Sequence, residues 1–283
     1  MMRRGWLPSA SGLRRRIRSL IPPVLPNGAR LDFPRSRYEP RGWVPNGVVS
    51  GWNQDSVVVA QEAHWPVLVH NLDGPGPLGV SHLPTRNTRE SVDDHNVMMS
   101  YGYVLARAAR NKERVSILDW GGSLGHYYLY SRCLLPEVAI DYHCFEVPVL
   151  CRAGRRLQPG IEFHTEADDL DGITFDLVIS SSSLHYFRDW RQAAGTLARR
   201  TGEFLYITRL MSVPHAPSFV VRQQSREGYH TEFLIWFLNR IEVIQCVEQL
   251  GLKLVREFVF AENWPVENAP EQGECRGFLF QRA

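Results

Sequence analysis

Apolar positions along the chain switch between two spacings, and the switch points mark its elements. From Ser91 the spacing is helical. Val97, Met98, Tyr101, Val104, Leu105 and Ala108 recur at three- and four-residue steps up to Arg110, the stripe of an amphipathic helix. Ser91 followed by Asp94 gives that helix a capping-box-like start. Short apolar runs then alternate with helical stretches. Val115–Trp120 predicts a first strand, followed by a glycine turn and a helix to about Leu135. Ile140–Val147 predicts a second strand, with a helix near Val149–Leu157, and Ile161–Thr165 predicts a third. Phe175–Ser180 predicts a fourth, with a helix over Trp190–Arg200 behind it, and Phe204–Thr208 a fifth. Thr231–Leu250 reads as one or two helices, and Leu252–Ala261 and Cys275–Gln281 as two closing strands.

Strands alternating with helices imply a largely parallel α/β sheet covered on both faces. The final helix, strand, strand order breaks the alternation. It predicts a Rossmann-like, seven-stranded sheet with its last hairpin inserted. This regular domain spans 91–283. Residues 31–90, rich in Pro, Gly and Trp, predict an irregular cap with one short helix near Asp55–His64. Residues 1–30 form a basic extension. Within it Ser11–Ile21 is a helical candidate stopped by Pro22 and Pro23, with Leu13, Ile17, Leu20 and Ile21 on one face.

Charge and cysteine content narrow the class. Net charge is +2 over 283 residues, so no nucleic-acid partner is expected. Ten arginines lie in residues 1–41 against Asp32 and Glu39, which leaves the rest of the chain net acidic. The basic head predicts a weak contact with an anionic membrane surface, or else a solvated tail. Its first residues lack the apolar core of a secretory signal. The five cysteines are widely spaced with no C-x-x-C pair. That argues against a disulfide framework or a zinc site and fits a cytoplasmic protein; no metal site is expected.

The chemistry concentrates at Val115-Ser-Ile-Leu-Asp-Trp-Gly-Gly-Ser-Leu-Gly-His126, a strand running into a glycine turn and a helix. Ligands of such sheets sit beyond the carboxyl ends of the strands. No Gly-Lys follows Gly125, which excludes a phosphate-binding NTPase loop. Gly121, Gly122 and Gly125 lack the G-x-G-x-x-G spacing of a dinucleotide site, and Asp119 would sit awkwardly beside a pyrophosphate. S-adenosylmethionine carries no phosphate. Its ammonium suits an acid such as Asp119, and its ribose diol suits Glu146 at the end of the second strand. Glu166 or Asp168, after the third strand, is placed to accept from the adenine amino group. Ser180 on the fourth strand and Tyr101 on the preceding helix complete the expected cofactor contacts.

The run Ile117-Leu-Asp-Trp-Gly-Gly-Ser-Leu-Gly125 resembles the first motif of methyltransferases encoded in bacterial surface-polysaccharide and related biosynthetic gene clusters. The resemblance continues in Asp176-Leu-Val-Ile-Ser-Ser-Ser-Ser-Leu-His-Tyr186, Trp236-Phe-Leu-Asn239 and Gly251-Leu-Lys-Leu-Val-Arg-Glu257. Gly51-Trp52 and Trp65-Pro66 are similar to that family's N-terminal region. The likeness covers roughly residues 45–283. It implies a class I methyltransferase fold, S-adenosylmethionine as donor and a cytoplasmic enzyme, but no particular acceptor.

Methyl transfer needs an aligned acceptor and, for an alcohol, a base. His185, directly after the fourth strand, is the candidate base, with Tyr186 beside it. The other reading is that both shape the pocket wall. His126, opening the helix after the glycine turn, is a further candidate for contact with cofactor or acceptor. Arg209, Met211 and His215 are expected to border the acceptor, and Pro214 and Pro217 to mark a lid loop. The expected substrate is a small molecule such as a sugar or secondary metabolite, methylated on oxygen or less favourably on nitrogen. Two rivals remain at this stage: an NAD-type oxidoreductase on a related sheet, and a non-catalytic scaffold.

Overall fold

The computed structural model describes residues 35–43, 50–81, 90–225 and 229–283, all within one unit, 34–283. The basic extension and its candidate helix Ser11–Ile21 lie outside the described residues. The chain enters as strand β1 (Arg35–Tyr38) and helix α1 (Asp55–Leu72). α1 is a correction to the short helix expected near Asp55–His64. It runs on through Pro66, although an internal proline forfeits a backbone hydrogen bond. Tertiary burial carries it: Val57, Gln61, His64 and Leu68 form its buried face, and His64 Nε2 pairs with the Ser81 carbonyl at 3.0 Å.

Helix α2 (Val92–Ala108) begins where the cap was expected, with the Ser91 hydroxyl accepting from Asp94 N–H at 3.3 Å. The alternation then follows as β2 (Arg114–Trp120), α3 (His126–Leu134), β3 (Ala139–Phe145), α4 (Pro148–Leu157) and β4 (Glu162–His164). Next come β5 (Phe175–Ser181), α5 (Trp190–Arg200) and β6 (Thr201–Val213). β7 (Phe219–Gln224), β8 (Glu232–Asn239), α6 (Arg240–Gln249), β9 (Leu252–Trp264) and β10 (Gly273–Arg282) complete the chain.

Seven of these strands lie in the order β4-β3-β2-β5-β6-β10-β9. β4 through β6 are parallel, and β10 runs antiparallel between β6 and β9. In chain order among the seven this reads 3-2-1-4-5-7-6, the class I methyltransferase sheet, with the switch point beside β2. The register sets Asp119 opposite both Cys144 and Ile179, so three strand tips end level. One core layer packs α2 and α3 on Ile117, Leu177 and Tyr206. The other packs α5 and α6 on Leu118, Val178 and Phe278.

The second correction falls on Thr231–Leu250. Its first half is strand β8, and only Arg240–Gln249 is helical. Phe233, Leu234, Ile235, Phe237 and Leu238 are all buried, an unbroken apolar run whose period does not separate strand from helix. β8 pairs antiparallel with β7, Val221 opposite Ile235, and parallel with the end of β6, Ser212 opposite Leu238. The Asn239 side chain marks the true start of α6, accepting from Ile241 and Glu242 N–H at 3.0 and 3.1 Å. β7 itself was not expected, and β1 adds to its edge.

The cap closes on residues far along the chain. Ser56 Oγ donates to the Tyr229 carbonyl at 2.7 Å. Thr231 Oγ1 donates to the Gly51 carbonyl at 2.7 Å and pairs with Ser50 Oγ at the same distance. Val57 joins Leu124, Leu150, Ala153 and Tyr229 in a third apolar cluster. All five cysteines are free thiols. Among the described residues no helix is long and apolar enough to cross a membrane.

Candidate functional site

The glycine turn leaves β2 at the sheet's switch point, and its shape is dictated by close approaches. Gly121 has φ +81°, and a Cβ there would lie 2.4 Å from Ser183 Cβ. At Gly122 a Cβ would lie 2.4 Å from Asp119 Oδ2. Gly125, also left-handed, is the residue from which α3 starts. The backbone thus folds tightly over the Asp119 carboxylate and against the loop after β5. Ser183 ties that loop down, donating to the Trp120 carbonyl at 2.5 Å.

Asp119 is fully buried. Its Oδ2 accepts from the Tyr142 hydroxyl at 2.6 Å, while Oδ1 has no hydrogen-bond partner among the described residues. Burial pushes its pKa up to about 7, against the pull of the Tyr142 hydrogen bond. A buried carboxylate with one empty oxygen is costly unless a donor arrives.

Glu146 follows β3 and leans back over the turn. Its Oε1 accepts from Ser123 N–H at 3.1 Å and its Oε2 from Val147 N–H at 2.5 Å. Burial pushes its pKa up to about 7, against both N–H groups. By its exposure Glu146 is only half-buried, so water reaches it. Each of its oxygens keeps a second lone pair for a diol. Glu166 and Asp168 stand exposed around the 3₁₀ turn Ala167–Leu170 after β4, open to a ligand edge.

Two expected cofactor contacts are engaged within the protein. Tyr101 is fully buried on the inner face of α2 and pairs with Ser131 Oγ at 2.5 Å. It meets Tyr127 edge-on at 4.7 Å, so it is a core residue and not a lid. Ser180 is buried and pairs its hydroxyl with Ser183 Oγ at 2.7 Å. It braces the loop after β5 from within.

Of the acceptor-side candidates, His185 and Tyr186 share one turn and His126 opens α3. His185 sits in the 3₁₀ turn Leu184–Tyr186 and is 1% exposed. Its Nδ1 has no partner among the described residues. Burial, followed by the nearby Arg209 charge, pushes its pKa down to about 3. His126 is likewise pushed down to about 3 by burial, then by His64 and Arg209. Its ring lies 5.4 Å from that of Trp65. Both imidazoles are therefore neutral at physiological pH. Tyr186 is half-buried, 5.3 Å from Trp52 and 5.3 Å from Phe233.

Several contributors were not among the expected site residues. Gln61 on α1 is buried and accepts a short hydrogen bond from Ser123 Oγ, placing the cap helix over the glycine turn. Trp52 stacks on Phe233 at 4.5 Å and meets Tyr229 at 5.7 Å. Gly51-Trp52 stood out in the sequence, but nothing there links it to residues 186 and 233. The region of the expected lid, Pro214 and Pro217, leads directly into β7, with Glu271 accepting from His215 and Ala216 N–H.

A His-Glu-His group also emerges where no metal was expected. Ligand atoms of His143, Glu162 and His164 lie within 4.8 Å of one another. His143 Nδ1 and His164 Nε2 are paired with each other at 3.0 Å, so the group is already satisfied internally. The residues are 19 and 2 apart in sequence, and only the β3–β4 pairing brings them together.

No family model matches the chain, and no curated protein matches its sequence. Among solved structures it is similar to CalS10, an amino pentose methyltransferase from Micromonospora echinaspora, with SAM bound. That likeness is 16% identity over 67% of this chain and 91% of that chain, with TM-score 0.43. It is similar to a magnesium protoporphyrin IX methyltransferase from Synechocystis PCC 6803 with SAH bound (14% identity, 83% and 98% covered, TM-score 0.48). A third is the 1,6-didemethyltoxoflavin-N1-methyltransferase from Burkholderia thailandensis (14% identity, 79% and 90% covered, TM-score 0.47). The assignment of fold rests on strand order and register, not on these likenesses.

Proposed function

We propose that this chain transfers a methyl group from S-adenosylmethionine to a hydroxyl of a small biosynthetic intermediate, with an amine as the lesser option. The observation that carries this reading is the pair Asp119 and Glu146 at neighbouring strand tips, flanking a glycine turn. The empty, buried Oδ1 of Asp119 calls for a donor, and an ammonium at that point supplies one with a compensating charge. Glu146 has the lone pairs for a ribose diol, and the exposed Glu166 or Asp168 can accept from an adenine amino group. Bound there, the cofactor supplies an electrophilic methyl carbon.

The chain's own residues then align an acceptor and accept its proton. His185 is neutral and offers Nδ1 beside the loop after β5. Tyr186, Trp52 and Phe233 form an aromatic wall suited to a sugar face or a flat metabolite. The resemblance to methyltransferases of bacterial surface-polysaccharide gene clusters supports a sugar or secondary metabolite, methylated in the cytoplasm.

Calorimetric titration with S-adenosylhomocysteine and with NAD tests the reading. Saturable binding of the former alone is expected. Binding of NAD alone, or of neither, would overturn it. Product analysis with candidate sugars then separates an enzyme from a scaffold that only binds.

A further inference from the structure

We propose that Arg209 anchors a carboxylate on the methyl acceptor, so that the substrates of this site are acids. The inference rests on the methyltransferase reading and deepens it. It begins with the backbone. Along β10, Arg276 pairs with Leu210 and Phe278 with Ile207. Thr208 and Arg209 therefore stand opposite the single residue Gly277, a β-bulge in β6. Arg209 is the bulged residue with φ +53°, a left-handed conformation that side-chain-bearing residues adopt at a cost. Bulges of this kind re-aim a side chain and recur beside functional sites.

The bulge sits at a turning point of the sheet. Up to Thr208, β6 pairs with β5, whose Ser181 is opposite. From Ser212 it pairs instead with β8. Arg209 thus leaves β6 where β5 ends, on the same edge as the glycine turn and the His185 turn. It lines a small cavity with Val80, Ser81, Asp94, Met98, Tyr127 and Tyr130.

The guanidinium is half-buried. Its side chain makes no hydrogen bond or ion pair with any described residue. Its charge is felt by both His126 and His185, which lie on two different elements. Asp94, on the first turn of α2, is the acid that bears on it. A planar, forked cation placed this way matches a carboxylate with two parallel hydrogen bonds. An acid docked there also offsets the Arg209 charge that, after burial, disfavours a proton on His185. The acceptor would then raise the basicity of the group that deprotonates it.

The test uses matched acid and amide pairs on the full-length protein saturated with S-adenosylhomocysteine: 4-hydroxybenzoate against 4-hydroxybenzamide, and glucuronate against glucuronamide. In the wild type at least one acid should bind tenfold or more tighter than its amide. Arg209→Gln should erase that preference and leave S-adenosylhomocysteine affinity within twofold, while Arg209→Lys should keep part of it. In wild-type protein the same acid should raise the midpoint pH of the His185 ring signal in NMR titration, which reads the proposal even if Arg209→Gln fails to fold. Equal binding of acid and amide overturns the proposal, as does a preference that survives Arg209→Gln. Loss of S-adenosylhomocysteine affinity in Arg209→Gln also overturns it, by giving the arginine to the cofactor's own carboxylate. Wild-type protein that ignores S-adenosylhomocysteine yet still prefers the acid would sink the methyltransferase reading alone.

Discussion

Replacing Asp119 by Asn isolates the energetics of the cofactor acid. In the folded protein the Asp119 pKa rises from 3.8 to about 7 because the carboxyl is fully buried. A raised carboxyl pKa means that the folded state holds a proton the unfolded state has released. Its contribution to stability is therefore full below pH 3.8, declines as pH rises, and is lost once pH passes about 7. The shift of about three pKa units corresponds to about 4 kcal/mol at alkaline pH, at about 1.4 kcal/mol per unit. About 3 kcal/mol of this accrues between pH 4.5 and pH 8. Asparagine does not titrate, and its carbonyl still accepts from Tyr142. Urea unfolding of both proteins at several pH values gives the difference directly. The variant should gain about 3 kcal/mol on the wild type between pH 4.5 and pH 8, whatever fixed cost its amide carries. A stability difference that stays flat with pH would refute the account of Asp119 as a strained, unpartnered acid. The same variant should bind S-adenosylhomocysteine about 1–3 kcal/mol more weakly, since it loses the charged acceptor.

Glu146→Gln should weaken cofactor binding by about 1–3 kcal/mol in calorimetry, because the amide keeps an acceptor for only one of Ser123 and Val147 N–H and turns an NH2 group toward the other. Since the cofactor's ammonium demands an ionised Asp119, affinity should rise as pH climbs through about 7, with proton release visible in buffers of different ionisation enthalpy. Tyr142→Phe removes the hydrogen bond that favours the charged form and should move that midpoint upward; an unmoved midpoint would take the titration away from Asp119. Gly121→Ala places a methyl 2.4 Å from Ser183 Cβ at a left-handed residue, and should cost about 2–4 kcal/mol in denaturant unfolding. His185→Gln should spare S-adenosylhomocysteine affinity and lower turnover about a hundredfold or more; unchanged turnover assigns His185 to the pocket wall.

The parallel half of the sheet was legible because each strand is a short apolar run between helical stripes, and the helix cap at Ser91 lies in the sequence itself. Asp119, Glu146 and the glycines were legible because strand tips fix where such groups stand. β8 was misread because Phe233–Leu238 is apolar at every step, so period could not decide, and its partner β7 was never proposed. α1 was cut short because its buried side, Val57, Gln61, His64 and Leu68, includes two polar residues that do not register as a hydrophobic stripe. The partner of Tyr101, Ser131, was not legible because it lies thirty residues away. The Arg209 bulge and the His143–His164 pair exist only through registry between strands, which no local pattern encodes.

The hydrogen bonds from Ser50, Gly51 and Ser56 to residues 229 and 231 span 173 to 181 positions. Residues 50–56 can therefore make these bonds only once residues 229–231 are in place, although Val57 and Gln61 also meet residues 123–153. Loop closures of that length are slow. Until then the cluster of Val57, Leu124, Leu150 and Ala153 lacks the Tyr229 ring that completes it. Seating of residues 50–56 on residues 229–231 is thus a long-range closure, and it is the contact through which a change at either end of that span is felt at the other.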